Sequence, residues 1–549
     1  MIEVEVHQQL RAFLREQGEP IWPHHLTMAR LVARAFRLQR SALIQAGPPS
    51  GLYGCYRLSY LLPAMAWPGP VIIVAPESLQ QRLLMVEIPR LKQWMATTKP
   101  IRQGDRWPSA TFRGILITTP AAWLQDRFGV PRFPDGVLTL IDGADDLETQ
   151  IRDGLSRHLT ADHWAALMLA RPDQGSMVRE TLVQLTHSLF KRPLNPHGCY
   201  VLDTPEKQAL LDLYYCLRTL DRSAIEVTEA MEVTEVMEAT DATDATEAGR
   251  SEPIGNIAGD LSIEDCPEMW QQIFECLHQP NQVIWATLAR QQGQFTLHAA
   301  PVDIAPRMRP VWQRQPFVLV GGAIDQHSDA AIYRERLGLA DVTYVKFSPD
   351  RQHESIQLYL PDRLPMPNTS QFQSALLTEI RSLLAITPMG NGLIVLLVND
   401  MPLKAQVGAA LAAEYGSRVQ VERTCLDDTG ILVTGWRYWQ QQQTVLPIPQ
   451  LLVITTLPIP SLEHPLVAGR VTQYKAQRLN WFTHYLLPET LNELQRAIAP
   501  LRQGHGIVAL LDNRVNHRSY GHHILGAISP YNRLGYLDET SFTEQNSSR

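Results

Sequence analysis

The sequence predicts two α/β domains built on parallel sheets, the first of them interrupted by a mostly helical insertion. Short, continuously apolar runs rich in β-branched residues, such as VIIVAP from Val71 and GILITTP from Gly114, alternate with helical patterns as far as about Glu148. The same alternation returns after a mostly helical stretch. Apolar strands that alternate with helices are typical of parallel sheets covered on both faces, which bind ligands at the carboxyl ends of their strands.

These patterns divide the 549-residue chain into four segments. Residues 1–150 begin the first α/β domain, and residues 151–280 form the helical insertion. Residues 281–340, with the runs VIWATLA and FVLVGGA, complete the first domain. Residues 341–549, with GLIVLLVND, TGILVTGW and GIVALLDNR, form the second. A chain of this length is too long for a single core and suggests about three domains.

An acidic low-complexity segment lies inside the insertion, at residues 226–248. An acid recurs there at every third position, at Glu226, Glu229, Glu232, Glu235, Glu238, Asp241, Asp244 and Glu247. Removing these eight acids from the formal net charge of −7 leaves +1, so the remaining chain has room for a basic groove. A period of three does not hold one face of a helix, which favours a disordered linker or a poorly ordered helix. Docking into a basic groove as a nucleic-acid mimic is the alternative.

The composition predicts a cytoplasmic protein with free thiols. Hydrophobic residues make up 45% and charged residues 19%, yet no apolar run approaches the length of a membrane span. The first residues lack the layout of a signal peptide. The cysteines form no C-x-x-C pair and have no zinc-site spacing with histidine. They are Cys55, Cys199, Cys216, Cys266, Cys276 and Cys425.

Several short sequence motifs follow one another in a fixed order along nearly the whole chain. They are WPHHLTMARLVA (Trp22–Ala33), ALIQAG with LSYLLPA (Leu58–Ala64), VAPESLQQRLL, ITTPAAWLQD, LIDGADDLE (Leu140–Glu148), PVDIAP, YRERLGL, and LLVITTLPIPSLEHPLVAGR (Leu451–Arg470). The set resembles the DinG/XPD-like branch of the superfamily 2 DNA helicases, and the last motif is the most specific. The resemblance implies that both α/β domains are RecA-like motor domains and that residues 341–549 are of the helicase C-terminal type.

The phosphate loop implied by this resemblance has the sequence AGPPSGLYGCYRLSY. In one register the family's Lys and hydroxyl positions fall at Leu52 and Tyr53, and in the other they fall at Tyr56 and Arg57. Neither register supplies the Lys that holds the phosphates or the hydroxyl group of a Ser or Thr that holds Mg²⁺.

The backbone of this loop is also altered. Pro48 and Pro49 remove two amide donors from a loop that binds phosphate by donating amides. Gly47 and Gly51 remain, and we expect them to keep a turn for structural reasons.

The acidic motif keeps only one of its catalytic groups. Asp142 stands where the family has the Mg²⁺ carboxylate, but the glutamate that activates water is replaced by Gly143. The family's His position is Asp145. A lone Asp at the end of a strand is more often a hydrogen-bond anchor than a metal ligand, so Asp142 alone does not predict a magnesium site.

Three further family motifs have lost charged or hydroxyl groups. The Ser-Ala-Thr motif is replaced by GGA from Gly321, and the fifth motif becomes YWQQQQ from Tyr438, with both carboxylates exchanged for amides. The arginine-finger position is Pro500, and only a shifted register would bring in Arg502. Arginine fingers contribute about 10³–10⁵ in rate where they have been measured.

The resemblance also bears on cofactors. Many family members carry an iron–sulfur cluster on four cysteines between the phosphate loop and the acidic motif, but the interval from Tyr56 to Ile141 contains no cysteine. We therefore expect no cofactor and no iron–sulfur cluster. ATP and Mg²⁺ would be needed only if the chain were an active helicase.

The leading functional hypothesis is a catalytically inactive helicase relative that binds single-stranded DNA or RNA, or a replication or repair partner. The resemblance places Thr118 and Thr119 where the family contacts DNA, and Trp439 is a candidate for base stacking. The first alternative is an active ATP-dependent DNA helicase with unconventional motor residues. The second is a protein-interaction scaffold without DNA affinity that uses the insertion as its contact surface.

Overall fold

The structure is a computed structural model of the chain. It describes residues 2–16, 22–95, 97–218, 266–348, 355–388, 392–423, 429–504 and 506–537. The chain divides into two compact units. Unit 1 comprises Met1–Gly154, Ile304–Pro460 and Leu479–Arg549, and unit 2 comprises Leu155–Asp303 and Ser461–Arg478. The acidic segment 226–248 lies outside the described residues, so its expected disorder stays a prediction.

Eighteen strands are present among the described residues. They are β1 Ala42–Gln45, β2 Val71–Val74, β3 Ile101–Gln103, β4 Ile115–Thr118, β5 Leu138–Asp142, β6 Arg157–Leu159, β7 Cys199–Val201, β8 Gln282–Ala289, β9 Gln294–Pro301, β10 Phe317–Gly321, β11 Thr343–Lys346, β12 Ile356–Tyr359, β13 Ile394–Leu397, β14 Val419–Val421, β15 Ile431–Thr434, β16 Leu451–Ile454, β17 Ile507–Leu510 and β18 Tyr531–Leu534.

The α-helices of the described residues connect these strands. They are α1 Ile2–Glu16, α2 His25–Leu38, α3 Pro48–Tyr53, α4 Leu58–Ala66, α5 Glu77–Arg82, α6 Ile88–Met95, α7 Pro120–Phe128, α8 Leu147–Leu155, α9 Ala161–Ala170, α10 Gly175–Phe190, α11 204–218, α12 Glu268–His278, α13 Ala305–Gln313, α14 Ala331–Leu337, α15 Phe372–Ile386, α16 Met401–Tyr415, α17 Trp436–Gln442, α18 Pro465–Ala476, α19 Leu487–Gly504, α20 Arg514–His517 and α21 Gly521–Ile528. Within these ranges, no helix is both long enough and apolar enough to cross a bilayer.

Unit 1 contains two seven-stranded sheets, and both are parallel throughout. The first has the strand order β11-β1-β10-β5-β2-β4-β3, and the second has the order β14-β15-β13-β16-β17-β12-β18. The central strands β1, β2, β4 and β5 are buried along their whole length, as the continuously apolar runs predict. The predicted fold class, two parallel-sheet α/β domains, is confirmed.

The helices of unit 1 cover both faces of these sheets. In α2, Met28, Val32 and Phe36 recur every four residues, all are buried, and they join the core of the first sheet. In α19, Leu487, Leu491 and Leu494 pack into the core beneath the second sheet in the same way. Loops that follow the carboxyl ends of β1, β5 and β10 are thereby held on a rigid frame, and these loops contain the candidate site.

Unit 2 is built on a four-stranded antiparallel sheet in the order β6-β9-β8-β7. One face packs against α9, α10, α11 and α12 around the buried Trp164 and Trp270. On the other face, α18 approaches β8 so closely that a Cβ on Gly469 would lie 2.3 Å from Val283 Cγ2. Only glycine fits this helix–sheet contact without movement.

This architecture corrects the expected domain boundaries. Residues 281–303 were assigned to the first α/β domain, whereas β8 and β9 form a hairpin in unit 2, which also takes in Ser461–Arg478. An apolar run does not reveal whether its strand pairs parallel or antiparallel, which explains the error. The signal for the hairpin was the QQGQ sequence, where Gly293 has a φ of 64°.

Candidate functional site

The segment in the place of the phosphate loop forms a closed helical turn. Gly47, with φ 91°, leads from β1 into α3, whose first two residues are prolines. The amide of Gly51 donates to the carbonyl of Gly47 at 2.9 Å, and the amide of Gly54 donates to that of Ser50 at 2.7 Å. Two amides that could hold a phosphate are therefore absent, and those of Gly51 and Gly54 are used within the turn.

This turn touches the loop after β10 at two facing glycines. A Cβ on Gly51 would lie 2.6 Å from the Cα of Gly322, and a Cβ on Gly322 would lie 2.9 Å from the Cα of Gly51 and 3.2 Å from the carbonyl oxygen of Gly47. The two backbones are thus in direct contact. A triphosphate could enter between them only if they moved apart.

Of the two registers considered for the phosphate loop, only one brings side chains to the acidic motif. Leu52 and Tyr53 lie half-buried on α3, and burial raises the pKa of Tyr53. Tyr56 and Arg57 lie in the turn between α3 and α4 and contact Asp142.

Asp142, at the end of β5, is only 3% exposed and has both carboxylate oxygens occupied. Tyr60 donates its hydroxyl hydrogen to Oδ2 at 2.7 Å, and Tyr56 donates its own to Oδ1. The Nε of Arg57 lies 3.5 Å from Oδ2. Burial, followed by the charge of Asp142, raises the pKa of both tyrosines well above the ordinary value, so both remain protonated donors.

Arg57 supplies a fixed positive charge to this carboxylate. The side chain is held against Gly54, where a Cβ would lie 1.9 Å from the guanidinium carbon. Burial lowers the pKa of Arg57, but the charge of Asp142 and the two tyrosines outweigh it, and the pKa is raised. Mg²⁺ binds carboxylate oxygens whose negative charge is not offset by a neighbouring cation, whereas both oxygens of Asp142 accept hydrogen bonds here and Arg57 offsets their charge. The residues present therefore do not fit Mg²⁺ with ATP.

The residues after Asp142 are fixed in the same way. Gly143 has φ 96°, a conformation that favours glycine. Asp145 accepts hydrogen bonds from the amide of Gly322 at 2.8 Å and from the amide of Ala323 at 2.5 Å. A Cβ on Gly321 would lie 2.6 Å from Oδ2 of Asp145. The substitutions in the acidic and Gly-Gly-Ala motifs thus complement each other, and burial raises the pKa of Asp145.

The sequence candidates near the arginine-finger position do not form a finger. Pro500 is buried within α19. Arg502 is 2% exposed and donates to the carbonyls of Ile528 at 2.6 Å and Ser529 at 3.2 Å, so it stabilises the end of α21. The idea that a shifted register returns Arg502 to the site is wrong in this structure. From α19 it is Arg496, not predicted from the sequence, that reaches the acidic motif, where it contacts Asp146.

The three candidates for nucleic-acid contact, Thr118, Thr119 and Trp439, are buried or half-buried. Trp439 has no exposed area, and its Nε1 donates to the carbonyl of Ala497 at 3.0 Å, so base stacking on Trp439 is wrong for this structure. The residue fills the core between α17 and α19 instead. Thr118 is 2% exposed. Thr119 caps α7 by accepting from the amide of Ala122 at 3.1 Å.

A basic surface at the edge of the first sheet was not predicted. It consists of four exposed arginines around β3 and the neighbouring loops, Arg102, Arg106, Arg113 and Arg132. Half-buried Trp107 lies among them, 5.3 Å from Phe112 in an edge-to-face contact, and its amide donates to the carbonyl of Arg132 at 3.3 Å. One acid, Asp105, is paired with Arg132 at 3.5 Å. We call this the basic edge.

Over the part of the chain that the structure describes, no group of three or more His, Cys, Asp or Glu side chains is arranged to hold a metal ion. The cysteines in the same part form no disulfide bond; they are Cys55, Cys199, Cys216, Cys266 and Cys276.

Comparison with known proteins places this geometry in context. No family model matches the chain. The ATP-dependent DNA helicase YoaA of Haemophilus influenzae is 22% identical over 263 residues, which span 45% of this chain and 40% of that protein.

Solved XPD structures match over a much greater length. S. tokodaii Xpd4 has a TM-score of 0.57 at 11% identity and covers 94% of this chain and 100% of its own. An apo XPD structure has a TM-score of 0.56 at 12% identity, covering 92% of this chain and 100% of its own. The resemblance to the DinG/XPD-like helicases of superfamily 2 is thereby confirmed, and the chain has the XPD helicase fold.

Proposed function

We propose that this chain is a DinG/XPD-like protein that does not hydrolyse ATP and that binds single-stranded nucleic acid passively. The observation that carries the first half is the state of Asp142. Its two oxygens accept from Tyr56 and Tyr60, and Arg57 neutralises its charge. A carboxylate whose two oxygens accept hydrogen bonds and whose charge is offset by an arginine is a structural anchor and a poor ligand for Mg²⁺.

The rest of the site supports the same conclusion. Phosphoryl transfer is catalysed by positioning and by charge: amides and a Lys hold phosphates, an acid positions water, and an arginine finger stabilises the transition state. Here the amides are used within the α3 turn, Gly143 has no side chain for a general base, and Pro500 takes the finger position. Losing an arginine finger alone costs about 10³–10⁵ in rate.

The second half of the proposal rests on the basic edge and on the helicase relatives. Passive binding of a single strand needs arginines or lysines that follow the phosphates and an aromatic platform on which a base stacks. Arg102, Arg106 and Arg113 are exposed around Trp107, which gives both elements. The curated relative is named a DNA helicase, which favours DNA over RNA. We propose a cytoplasmic location and no iron–sulfur cluster.

An ATPase assay tests the first half. Purified protein is assayed with Mg²⁺ and ATP, with and without single-stranded DNA, beside the Asp142→Asn variant. We expect no turnover above that of the variant under either condition. Turnover that DNA stimulates and that Asp142→Asn abolishes would contradict the proposal and favour the active-helicase alternative.

A strand-binding titration at two salt concentrations tests the second half. The triple variant Arg102→Ala, Arg106→Ala, Arg113→Ala should bind a fluorescent oligo-dT about tenfold more weakly. Its salt slope should fall by about 2, since each lost phosphate contact contributes about 0.7. Arg30→Ala, Arg34→Ala, Arg40→Ala removes the same charge from α2 and the residues just after it, and is the matched control. Equal weakening in both variants contradicts the basic edge, and no binding by the wild type favours the protein-interaction scaffold.

A further inference from the structure

Side chains of the acidic motif and of α19 meet across the gap between the two parallel sheets. Arg496 donates to Asp146 through two nitrogens, at 2.8 and 3.2 Å, in a bidentate ion pair. Asp146 follows β5 of the first sheet, whereas α19 covers the second. Asp146, Asp145 and Glu493 are the acids that raise the pKa of Arg496 against the effect of its burial. The side chain of Asp146 is 51% exposed and that of Arg496 is 23% exposed, so the strength of this pairing comes from its bidentate geometry and from the neighbouring acids.

A second arginine extends from the side of the first sheet to α19 beside the second. Arg336, on α14 beside the first sheet, has a side chain only 8% exposed. It contacts Glu489 of α19 at 2.5 Å and donates to the backbone carbonyl of His484 at 3.0 Å, while its guanidinium lies 5.4 Å from the ring centre of Tyr485. A bidentate or multiply bonded, buried arginine holds its partners far better than a solvent-exposed ion pair does.

Neutral side chains add a third contact. Gln326, in the loop after β10, exchanges amide hydrogen bonds with Gln495 of α19 at 2.9 and 3.3 Å. Asn492, one turn earlier, donates to the carbonyl of Ile324 at 3.1 Å. We call the pairs Asp146–Arg496, Arg336–Glu489 and Gln326–Gln495 the cross-sheet contacts. Beside them α3 packs directly on α19.

We propose that the cross-sheet contacts hold the two sheets together permanently, in the role that a bound nucleotide has in a motor of this fold. A ligand that bridges two domains closes them because its groups contact both. Here Arg496 and Arg336 already join the two sides. A ligand shifts the arrangement of two domains only if it binds one arrangement more tightly than another. With the sheets already joined, a nucleotide would not favour one arrangement over another. This inference rests on the proposed absence of ATP hydrolysis and adds that strand affinity is independent of nucleotide.

Amide hydrogen exchange on the full chain, without nucleic acid, tests this inference. Peptides from 48–57 and 487–504 report separation of α3 from α19. Arg496→Gln should raise their exchange rates about tenfold, and Asp146→Asn should do the same, while the double variant should be no faster than either. The control is Arg533→Gln, which breaks an exposed ion pair with Asp362 (3.3 Å) beside the second sheet. It should leave the exchange rates of both peptides unchanged. Gln326→Ala provides an independent variant should Arg496→Gln fold poorly.

Adding ATP and Mg²⁺ to the wild type should leave the exchange of both peptides unchanged. Two results would overturn the inference: slower exchange with ATP and Mg²⁺, or no acceleration in Arg496→Gln and Gln326→Ala. Because nucleic acid is absent, these outcomes are separate from the strand-binding titration. If the wild type does not bind a single strand but its cross-sheet contacts are intact, only the proposal of passive strand binding is contradicted. If the protein hydrolyses ATP but amide exchange of both peptides is unchanged by ATP, only the proposed absence of ATP hydrolysis is contradicted.

Discussion

Two buried aspartates lie at the carboxyl ends of strands, one in each parallel sheet, and their partners differ. Asp512 lies just after β17 and is completely buried. Its carboxylate binds Arg514, two residues away, at 2.5 Å and accepts from the amide of Leu457, after the neighbouring strand β16, at 2.8 Å. Asp142, at the end of β5, takes its partners from Tyr56 and Tyr60, more than eighty residues earlier in the chain.

The partners show what each aspartate holds together. Asp512 joins two adjacent strand ends of one sheet, which is a local structural task. Asp142 joins the end of β5 to the segment from Tyr56 to Tyr60, which supplies both hydrogen-bond donors and the cation Arg57. A buried carboxylate is stable only if something satisfies it. In this chain two tyrosines and an arginine do so.

The comparison predicts that both aspartates stabilise the fold to a similar degree. Asp142→Ala leaves the buried Arg57 without its carboxylate, and Asp512→Ala leaves the half-buried Arg514 and the buried amide of Leu457 without theirs, so each should lower the free energy of unfolding by about 3–5 kcal/mol. Urea unfolding of both variants measures the effect. A functional Mg²⁺ ligand would behave differently, because its removal relieves repulsion. If Asp142→Ala alone left the free energy of unfolding unchanged or raised it, the claim that both aspartates stabilise the fold would be contradicted.

Removing one tyrosine hydroxyl should have an intermediate effect. Tyr60→Phe deletes a hydrogen bond to an ionised acceptor, so we expect a loss of about 1.5–3 kcal/mol in unfolding free energy. Tyr344→Phe is the matched control, because its hydroxyl donates to the neutral Gln45 side chain at 2.9 Å. That loss should be about 0.5–1.5 kcal/mol. Equal losses would contradict a charge-assisted hydrogen bond between Tyr60 and Asp142.

Acid should weaken the region around Asp142 through a neighbouring histidine. Burial lowers the pKa of His25 from 6.5 to about 4, and His25 is bonded to Ser59, next to Tyr60, at 2.9 Å. Between pH 6.5 and pH 4 the unfolded chain binds a proton at His25 that the folded chain does not. The contribution of His25 to the free energy of unfolding is therefore complete above pH 6.5 and is lost as the pH falls toward 4. At pH 5.5 the loss is about 1 kcal/mol.

The measurement is the difference between the wild type and His25→Gln in urea unfolding at pH 7 and pH 5.5. The variant should lose less stability on acidification than the wild type. Parallel losses in both proteins would mean that the acid sensitivity comes from other groups, such as His298, whose pKa burial also lowers to about 4.

The smallest effect concerns two helix caps at corresponding strand ends. Thr119 caps α7 after the first sheet, and Asp400 caps α16 after the second by accepting from the amide of Leu403 at 2.7 Å. Thr119→Ala and Asp400→Ala should each cost about 1 kcal/mol, read as a shift of the denaturation midpoint. Thr119→Ala should leave oligo-dT affinity unchanged. Weaker strand binding in that variant alone would return Thr119 to the nucleic-acid candidates.

Patterns local to the chain were predictable, and contacts between distant residues were not. The run VIIVAP and the place of Asp142 at a strand end followed directly from the sequence. The bond between Tyr56 and Asp142 joins residues 86 positions apart, and a single sequence contains no signal for it. Trp439 was misjudged because a buried and a stacking tryptophan look the same in sequence. Arg496 was missed because its partner Asp146 lies on another domain.

The facing glycines Gly51 and Gly322 have a consequence for the engineering of this chain. Any side chain at either position would collide with the opposite backbone, at 2.6 and 2.9 Å. A lysine introduced into the loop would leave this contact in place, because the main chain of the loop after β10 lies directly against α3. Separating the two backbones requires movement of both loops, and a side chain added to either glycine alone destabilises the protein.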